Sequence, residues 1–271
     1  MRRVALLAAF AGALLFASPA AAQLAPAPKL ILTSIDRTPM VELYDGGGGL
    51  PYLGSSTSYN AGDWENTLRA YVSSGTYLNQ VSEVDQVADH AISRAAHLAA
   101  RRAAVARAAH HGHDRGRHGN GHHKKLAIVL DIDETTLSNY TAINADNFTF
   151  GPQSQAEATN EIGKAIPSTK KLFDDAKARG IAVFFITGRR ENTRQHTDNN
   201  LRREGFTDYN ELILKPDAST DSTVVYKSNA RAAIEQQGYR IIANVGDQYS
   251  DLAGGHANVA YKLANPFYFL P

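Results

Sequence analysis

The chain has 271 residues, of which 28 are Lys or Arg and 27 are Asp or Glu, and it contains no cysteine. This length suits one large α/β domain with additions, and a core of that size needs no covalent cross-link. The absence of cysteine excludes disulfides, cysteine-ligated zinc sites, a thiol nucleophile and a cysteine-linked lipid anchor. The net charge of +1 predicts no general attraction to nucleic acid.

Residues 1–22 have the pattern of a secretory signal peptide. Arg2 and Arg3 precede an apolar run over residues 4–17, and small residues follow up to Ala22. The run is shorter than the ~20 residues of a transmembrane helix. The alternative, an uncleaved amphipathic N-terminus, is disfavoured because the run has no polar face. We therefore expect cleavage after Ala22 and export to the periplasm or the medium, with no membrane anchor on the mature protein.

Residues 23–109 are predicted to form an N-terminal extension that ends in a long helix. The part up to residue 74 is mixed and loop-rich, and the four consecutive glycines at residues 46–49 favour a flexible loop over a phosphate-binding one. From Tyr77 onward, apolar residues recur every three or four positions, which is typical of a helix. Its Ala- and Arg-rich second half indicates a solvated face more than a nucleic-acid-binding one.

Residues 110–125 form a His-rich segment, predicted to be a flexible loop. The segment holds six of the ten histidines and four glycines, a composition that builds no core. Clustered histidines can bind Zn²⁺, Ni²⁺ or Cu²⁺. Because no specific ligand spacing is present, a tether with adventitious metal affinity is favoured over a dedicated transition-metal site.

From residue 126 to residue 271 the pattern alternates between strands and helices. The predicted strands are residues 126–130, 181–186, 212–214, 240–245 and 257–263, and the predicted helices are residues 167–179, 191–203 and 228–237. This alternation predicts right-handed crossovers and a doubly wound parallel sheet of the α/β class. Such sheets bind ligands at the carboxyl ends of their strands.

Polar residues follow the predicted strands where a ligand is expected. Two carboxylates two residues apart, just past a buried strand, need a positive partner, and their oxygens suit Mg²⁺. Each feature alone has an ordinary structural explanation, such as a helix cap, a turn or a surface charge. The ordered set is far more specific. Its members are Asp131 and Asp133 after the first strand, Thr187 and Gly188 after the second, Lys227 just before the third helix, and Asp247 and Asp251 after the fourth strand.

This ordered set resembles the haloacid dehalogenase-like (HAD) superfamily, and in detail its acid phosphatase branch. That branch includes plant acid phosphatases, vegetative storage proteins and bacterial class B acid phosphatases. The resemblance rests on residues 129–139, 185–189, 225–228 and 246–252, and it extends over about residues 126–271. It implies a HAD-like core with a small cap insert at residues 138–166. It also implies an exported Mg²⁺-dependent phosphomonoesterase acting on small phosphate monoesters.

The resemblance implies a role for each matching residue. Asp131 corresponds to the nucleophile that becomes an aspartyl phosphate, and Asp133 to the general acid and then base. Thr187 and the Gly188 N–H are expected to hold phosphoryl oxygens. Lys227 is expected to neutralise charge on the phosphoryl group and on Asp131.

The same resemblance implies a Mg²⁺ site. Its ligands are the Asp131 side chain, the Asp133 backbone carbonyl and the Asp247 side chain, and Asp251 acts through water or orients Lys227. The cap insert matches known caps poorly, so the natural substrate stays open. Arg189 either contacts substrate or is a surface residue at the start of a helix.

Two other functional classes compete with the phosphatase. One is a catalytically silent storage or binding protein on the same fold, which the presence of Asp131 disfavours. The other is a metal-binding protein that works through the His-rich segment. A small phosphomonoester is the only partner expected apart from metal ions; no nucleic acid polymer and no membrane is expected after signal cleavage.

Overall fold

The computed structural model describes residues 29–44, 61–110 and 124–270. The predicted signal peptide, the four consecutive glycines and nearly all of the His-rich segment lie outside the described residues. The strands are β1 Lys29–Ile35, β2 Thr38–Tyr44, β3 Lys125–Leu130, β4 Leu137–Ser138, β5 Lys164–Ala165, β6 Ala182–Arg190, β7 Glu211–Lys215, β8 Tyr239–Gly246 and β9 Ala260–Lys262. The helices are α1 Ala61–Ser73, α2 Thr76–His110, α3 Tyr140–Ala145, α4 Pro152–Gln155, α5 Glu157–Asn160, α6 Pro167–Ala178, α7 Arg194–Arg203, α8 Thr223–Gln236 and α9 Tyr249–Leu252.

A mostly parallel sheet of seven strands, in the order β1-β2-β9-β8-β3-β6-β7, forms the centre of the described structure. Strand β3 lies between β8 and β6 and is parallel to both. The strands from β3 onward in this sheet match the predicted ones within a few residues, which confirms the α/β class. Because β3 and β8 are neighbours, Leu130 pairs with Val245, and the segments that follow both strands emerge side by side.

Alternate residues of the central strands pack against helices on opposite faces of the sheet. On one face, Ile128 and Leu130 belong to a buried cluster with residues of α2 and α6. On the other face, Ala127 and Val129 pack in a second cluster with Tyr226 and Ile234 of α8. The period of two along a strand explains this division. Because both faces of these strands are buried, their sequences are continuous apolar runs.

The N-terminal extension contains more regular structure than its sequence predicts. Strands β1 and β2 form an antiparallel hairpin, and β2 adds parallel to β9, which extends the sheet. The hairpin turns at Asp36 and Arg37, both with positive φ (47° and 68°), as a two-residue turn of type I′ requires. The pair Asp-Arg is an uncommon turn sequence, so a loop-rich interpretation of residues 23–74 missed the hairpin.

The segment predicted to be a cap insert, residues 138–166, begins and ends on a short antiparallel ribbon. Strand β4 pairs with β5, with Leu137 opposite Ala165, and the short helices α3, α4 and α5 lie between them. The ribbon returns the chain to the start of α6. Among the described helices, none is long and apolar enough to cross a membrane.

A carboxyl group without a charged partner is buried between α2 and α6. Asp85 is 1% exposed, and its Oδ2 accepts a hydrogen bond of 2.9 Å from the Thr169 hydroxyl. Its Oδ1 has no hydrogen-bond partner among residues 29–44, 61–110 and 124–270. Burial raises the pKa of Asp85 to about 7, although hydrogen bonds from Ser168 and Thr169 oppose the rise. The folded protein therefore holds a proton that the unfolded chain releases near pH 4.

Because the pKa of Asp85 is raised in the folded protein, the fold becomes less stable as the pH rises. The folded state binds more protons than the unfolded state between about pH 4 and pH 7, so the free energy of unfolding falls across that window. We expect Asp85→Asn to raise it by roughly 2–4 kcal/mol at pH 8, with the gain vanishing near pH 4. Thermal unfolding from pH 4 to pH 8 measures this. Glu83→Gln, an exposed change on the same helix, is the control, and a pH-independent effect of Asp85→Asn would contradict the assignment.

Candidate active site

Three carboxylates meet where β3 and β8 end. Asp131 follows β3, Asp247 follows β8, and Asp251 lies in α9. One carboxylate oxygen from each lies within 4.8 Å of one from each of the others, and all three residues are buried. Gly246 permits this approach because a Cβ at that position would lie 2.6 Å from the Cβ of Asp251.

Lys227 provides the positive charge in direct contact with these carboxylates. Its Nζ donates hydrogen bonds to Oδ1 of Asp131 and, at 2.7 Å, to Oδ1 of Asp251. The predicted position of Lys227, just before a helix, is wrong: α8 begins at Thr223, and the Ser222 side chain caps it by accepting from Val225 N. Lys227 therefore lies inside α8, where the rigid helix directs its side chain to the acids.

The electrostatics of this cluster favour a cation. Burial raises the pKa of Asp131 well above its usual value; Lys227 opposes the rise, and Asp251 and Asp247 add to it. Burial and the neighbouring Asp251 raise the pKa of Asp247 to about 6. Burial alone would lower the pKa of Lys227, but Asp131 and Asp251 raise it, so we assign it as a cation.

The donor set fits a divalent cation. When ionised, the three carboxylates carry three negative charges, and one ammonium, Lys227, is in direct contact with them; Lys262 acts on Asp247 only through its charge, so the cluster has room for the charge of a divalent ion. Carboxylate oxygens are hard ligands that suit Mg²⁺ or a similar ion. A cation bound among them would lower the pKa of Asp131 and Asp247 and so keep both ionised.

Hydrogen bonds orient the Asp247 carboxylate from three sides. The Thr135 hydroxyl donates to Oδ1 at 3.0 Å. The side-chain amides of Gln248 and Asn265 donate to Oδ2 at 2.8 Å and 2.6 Å. These contacts hold the carboxylate in one orientation beside Asp131.

Asp133 lies apart from the three-carboxylate cluster and is paired with Arg189. The guanidinium Nε and Nη2 donate to the Asp133 carboxylate at 2.6–3.1 Å, and Asn139 Nδ2 donates to Oδ1 at 2.7 Å. Burial alone would raise the pKa of Asp133, but Arg189 and Asn139 hold it below its usual value. Arg189 is itself buried, with 8% of its surface exposed, so the alternative of a surface arginine is wrong.

Thr187 and Gly188 lie at the carboxyl end of β6, beside β3. The pairing of β6 with β7 breaks between Thr187 and Arg190, so Gly188 and Arg189 lie in a bulge. Thr187 is fully buried and its Oγ1 accepts from Arg189 N at 3.1 Å. Gly188 is exposed, and a Cβ there would meet nothing within 4 Å. The bulge thus directs the Arg189 side chain to Asp133 and leaves Gly188 open to a ligand.

Several residues at this site carry no recognisable sequence signal. Glu134 is fully buried with φ of 52°; its carboxylate accepts from Asn139 N at 2.6 Å and from the Tyr268 hydroxyl at 3.0 Å. Asn265 contacts Asp247 from the C-terminal end of the chain. In the cap, burial and Asp133 raise the pKa of Glu157 to about 8, although Arg189 opposes the rise. Most of these residues contact partners that are distant in sequence, so the sequence does not predict the contacts. Glu134 is the exception, because its place next to Asp133 points to the site.

Comparison with known proteins finds relatives that include an acid phosphatase and a vegetative storage protein. Acid phosphatase 1 of Solanum lycopersicum is 35% identical over 148 residues, which are 52% of this chain and 58% of that protein. Vegetative storage protein 1 of Arabidopsis thaliana is 32% identical over 152 residues, 53% of this chain and 55% of that protein. The matches thus span little more than half the length of these relatives.

The fold has a counterpart among solved structures. A class C acid phosphatase from Bacillus anthracis, determined with tungstate bound, superposes with a TM-score of 0.52 at 17% identity, over 76% of this chain and 86% of that one. At this identity the likeness concerns the fold alone. The family model of the HAD superfamily, subfamily IIIB (acid phosphatase), matches residues 57–271. The chain therefore belongs to subfamily IIIB of the HAD superfamily, the acid phosphatase subfamily.

Proposed function

We propose that this chain is an exported Mg²⁺-dependent phosphomonoesterase that hydrolyses small phosphate monoesters through an aspartyl phosphate. The observation that carries the proposal is the contact of Lys227 with Asp131 inside a group of three buried carboxylates. An ammonium and a divalent cation beside a carboxylate offset the repulsion that an anionic phosphate otherwise meets. Membership of the acid phosphatase subfamily supports the same reaction.

In the proposed reaction an oxygen of Asp131 attacks phosphorus while the bond to the leaving oxygen breaks, and Asp133 gives that oxygen its proton. Asp133 then takes a proton from water, whose oxygen attacks phosphorus and releases phosphate and the free Asp131 carboxylate. The Thr187 hydroxyl and the Gly188 N–H hold the phosphoryl oxygens. Lys227 offsets their charge.

The proposed Mg²⁺ ligands are the side chains of Asp131 and Asp247 and the backbone carbonyl of Asp133. Bound there, the cation supplies positive charge next to the phosphoryl group. Asp251 holds Lys227 in place through their 2.7 Å contact. Export rests on the signal-peptide pattern of residues 1–22, and a mature protein that does not begin near Gln23 would contradict it.

A second candidate is a silent storage protein, which the likeness to a vegetative storage protein favours. Hydrolysis of p-nitrophenyl phosphate separates the two functions, because only an enzyme turns over. We expect Mg²⁺-dependent turnover by the wild type and loss of at least roughly 10³-fold in Asp131→Asn, which keeps the shape but removes the attacking charge. Asp174→Asn, an exposed change, should behave as wild type. Full activity in Asp131→Asn, with deamidation excluded by mass spectrometry, would refute the covalent mechanism.

The metal assignment predicts a defect that added Mg²⁺ relieves. Asp247→Asn keeps the size of the side chain and loses the ligand charge, so we expect the half-saturating Mg²⁺ concentration to rise by roughly 100-fold or more, at or above the upper end of the range for loss of a ligand's hydrogen-bonding partner. Activity should recover in part at high Mg²⁺, and titration of Mg²⁺ into EDTA-treated protein measures it. Wild-type activity that survives EDTA and extended dialysis would show the assignment to be wrong.

The Arg189–Asp133 pair predicts a change in the pH profile. Asp133 must carry a proton when the leaving group departs, and Arg189 lowers its pKa, so the first step slows as the pH rises. Arg189→Gln removes this effect, and the pKa of Asp133 rises. We expect the alkaline limb of kcat/KM for an alkyl phosphate to move to higher pH, while kcat falls because Asp133 is less well oriented.

The matched control is Arg202→Gln, which breaks an exposed ion pair with Asp198 and should leave the profile as in the wild type. An alkyl phosphate is the right substrate because its alkoxide needs the proton, whereas p-nitrophenolate leaves without one. If the alkaline limb of Arg189→Gln stays where it is in the wild type, Asp133 is not the group that titrates there.

A further inference from the structure

The C-terminal segment, residues 264–270, runs back along the edge of the sheet that carries the candidate site. It follows β9, which ends at Lys262. Its side chains and backbone contact the segments after both β3 and β8, as well as the cap and α2. None of the proposed catalytic roles uses a residue of this segment, yet it makes some of the shortest contacts to the acidic cluster.

Asn265 links the segment to the metal-site carboxylate. Its Nδ2 donates to Oδ2 of Asp247 at 2.6 Å, and its Oδ1 accepts from Phe267 N at 2.8 Å. The residue is 9% exposed. Because the amide nitrogen and the amide oxygen of Asn265 are both hydrogen-bonded, the side chain has one orientation. The contact of its oxygen with Phe267 N therefore fixes which side of the amide faces Asp247.

The two carboxylate oxygens of Asp247 accept hydrogen bonds from different donors and so have different environments. Among the described residues, Oδ2 accepts from both Asn265 and Gln248, whereas Oδ1 accepts from Thr135 alone. A carboxylate oxygen has two lone pairs. Oδ1 therefore keeps one lone pair for a cation, while both lone pairs of Oδ2 are engaged, and the carboxylate is set up to bind metal through one oxygen.

The rest of the segment contacts the residues that surround the site. The Tyr268 hydroxyl donates to Glu134, next to Asp133, and Leu270 N donates to Oε1 of Gln248 at 3.2 Å. The Phe267 ring packs 5.1 Å from the ring of Tyr77 in α2 and 5.6 Å from that of Tyr140 in the cap. The segment thus connects the cap to the residue that orients Asp247.

We propose that Asn265 is a positioning residue for the metal site: its amide holds Oδ2 of Asp247 so that Oδ1 faces the cation. This inference rests on the proposed metal-dependent function. Hydrogen-bonding partners of metal ligands change metal affinity by roughly 10–100-fold when they are removed. Asn265 acts through Asp247: its side-chain amide is bonded to Asp247 and to the backbone of Phe267.

The test compares Mg²⁺ binding by Asn265→Leu and by the wild type, using isothermal titration calorimetry on EDTA-treated protein. Leucine has nearly the same shape and no donor, so we expect Mg²⁺ affinity to fall roughly tenfold. In assays, the half-saturating Mg²⁺ concentration should rise in parallel, with kcat at saturating Mg²⁺ and KM for p-nitrophenyl phosphate close to wild type. A general loss of structure would instead lower kcat without moving the Mg²⁺ midpoint.

Asn258→Leu is the matched control, since Asn258 is exposed and lies before β9, at the opposite end of that strand. Tyr268→Phe keeps the ring and loses only the bond to Glu134, so it should bind Mg²⁺ more tightly than Asn265→Leu does. If Asn265→Leu does not fold, Asn265→Ala carries the same test. Wild-type Mg²⁺ affinity in the folded variant overturns the inference alone, whereas a wild type that binds no Mg²⁺ overturns the metal assignment together with it.

Discussion

The contact between Lys227 and Asp131 is the interaction on which the arrangement of the site depends. Three carboxylates buried side by side cost free energy unless positive charge lies among them. Lys227 comes from α8, the helix whose Tyr226 and Ile234 cover one face of the sheet. The packing of α8 against the sheet therefore also positions the Lys227 ammonium next to the acids. Loss of this packing would weaken the contact of Lys227 with Asp131, and loss of that contact would weaken the packing.

The parallel sheet makes this concentration of charge possible. Because β3 lies between β6 and β8, the segments that follow all three strands emerge on one edge, and residues far apart in sequence become neighbours. The strands are buried on both faces and cannot move apart to relieve repulsion. Without a cation, burial and the neighbouring acids raise the pKa of Asp131 and of Asp247, and a bound cation would relieve the repulsion between their ionised forms.

Sequence reasoning predicts the parts of this protein that depend on local pattern. The central strands are continuous apolar runs, and Asp131 and Asp247 follow two of them directly, so their meeting follows from topology. The hairpin of β1 and β2 was missed because Asp36 and Arg37 are an unusual turn pair. The start of α8 was placed too late because Thr223 and the two valines after it are poor helix formers. Partners such as Arg189 and Asn265 depend on a bulge and on the path of the C-terminal segment, which no local pattern encodes.

In the proposed reaction Asp133 both gives and takes a proton, and its surroundings bear on both steps. Arg189 and Asn139 favour the carboxylate form, which suits the base that activates water. A second acid near Arg189 would compete for its charge, and the cap brings Glu157 close. Because burial and Asp133 raise the pKa of Glu157 to about 8, Glu157 is mostly protonated at and below neutral pH. A neutral Glu157 does not compete for the charge of Arg189, so the ion pair of Arg189 with Asp133 is not weakened by this nearby acid.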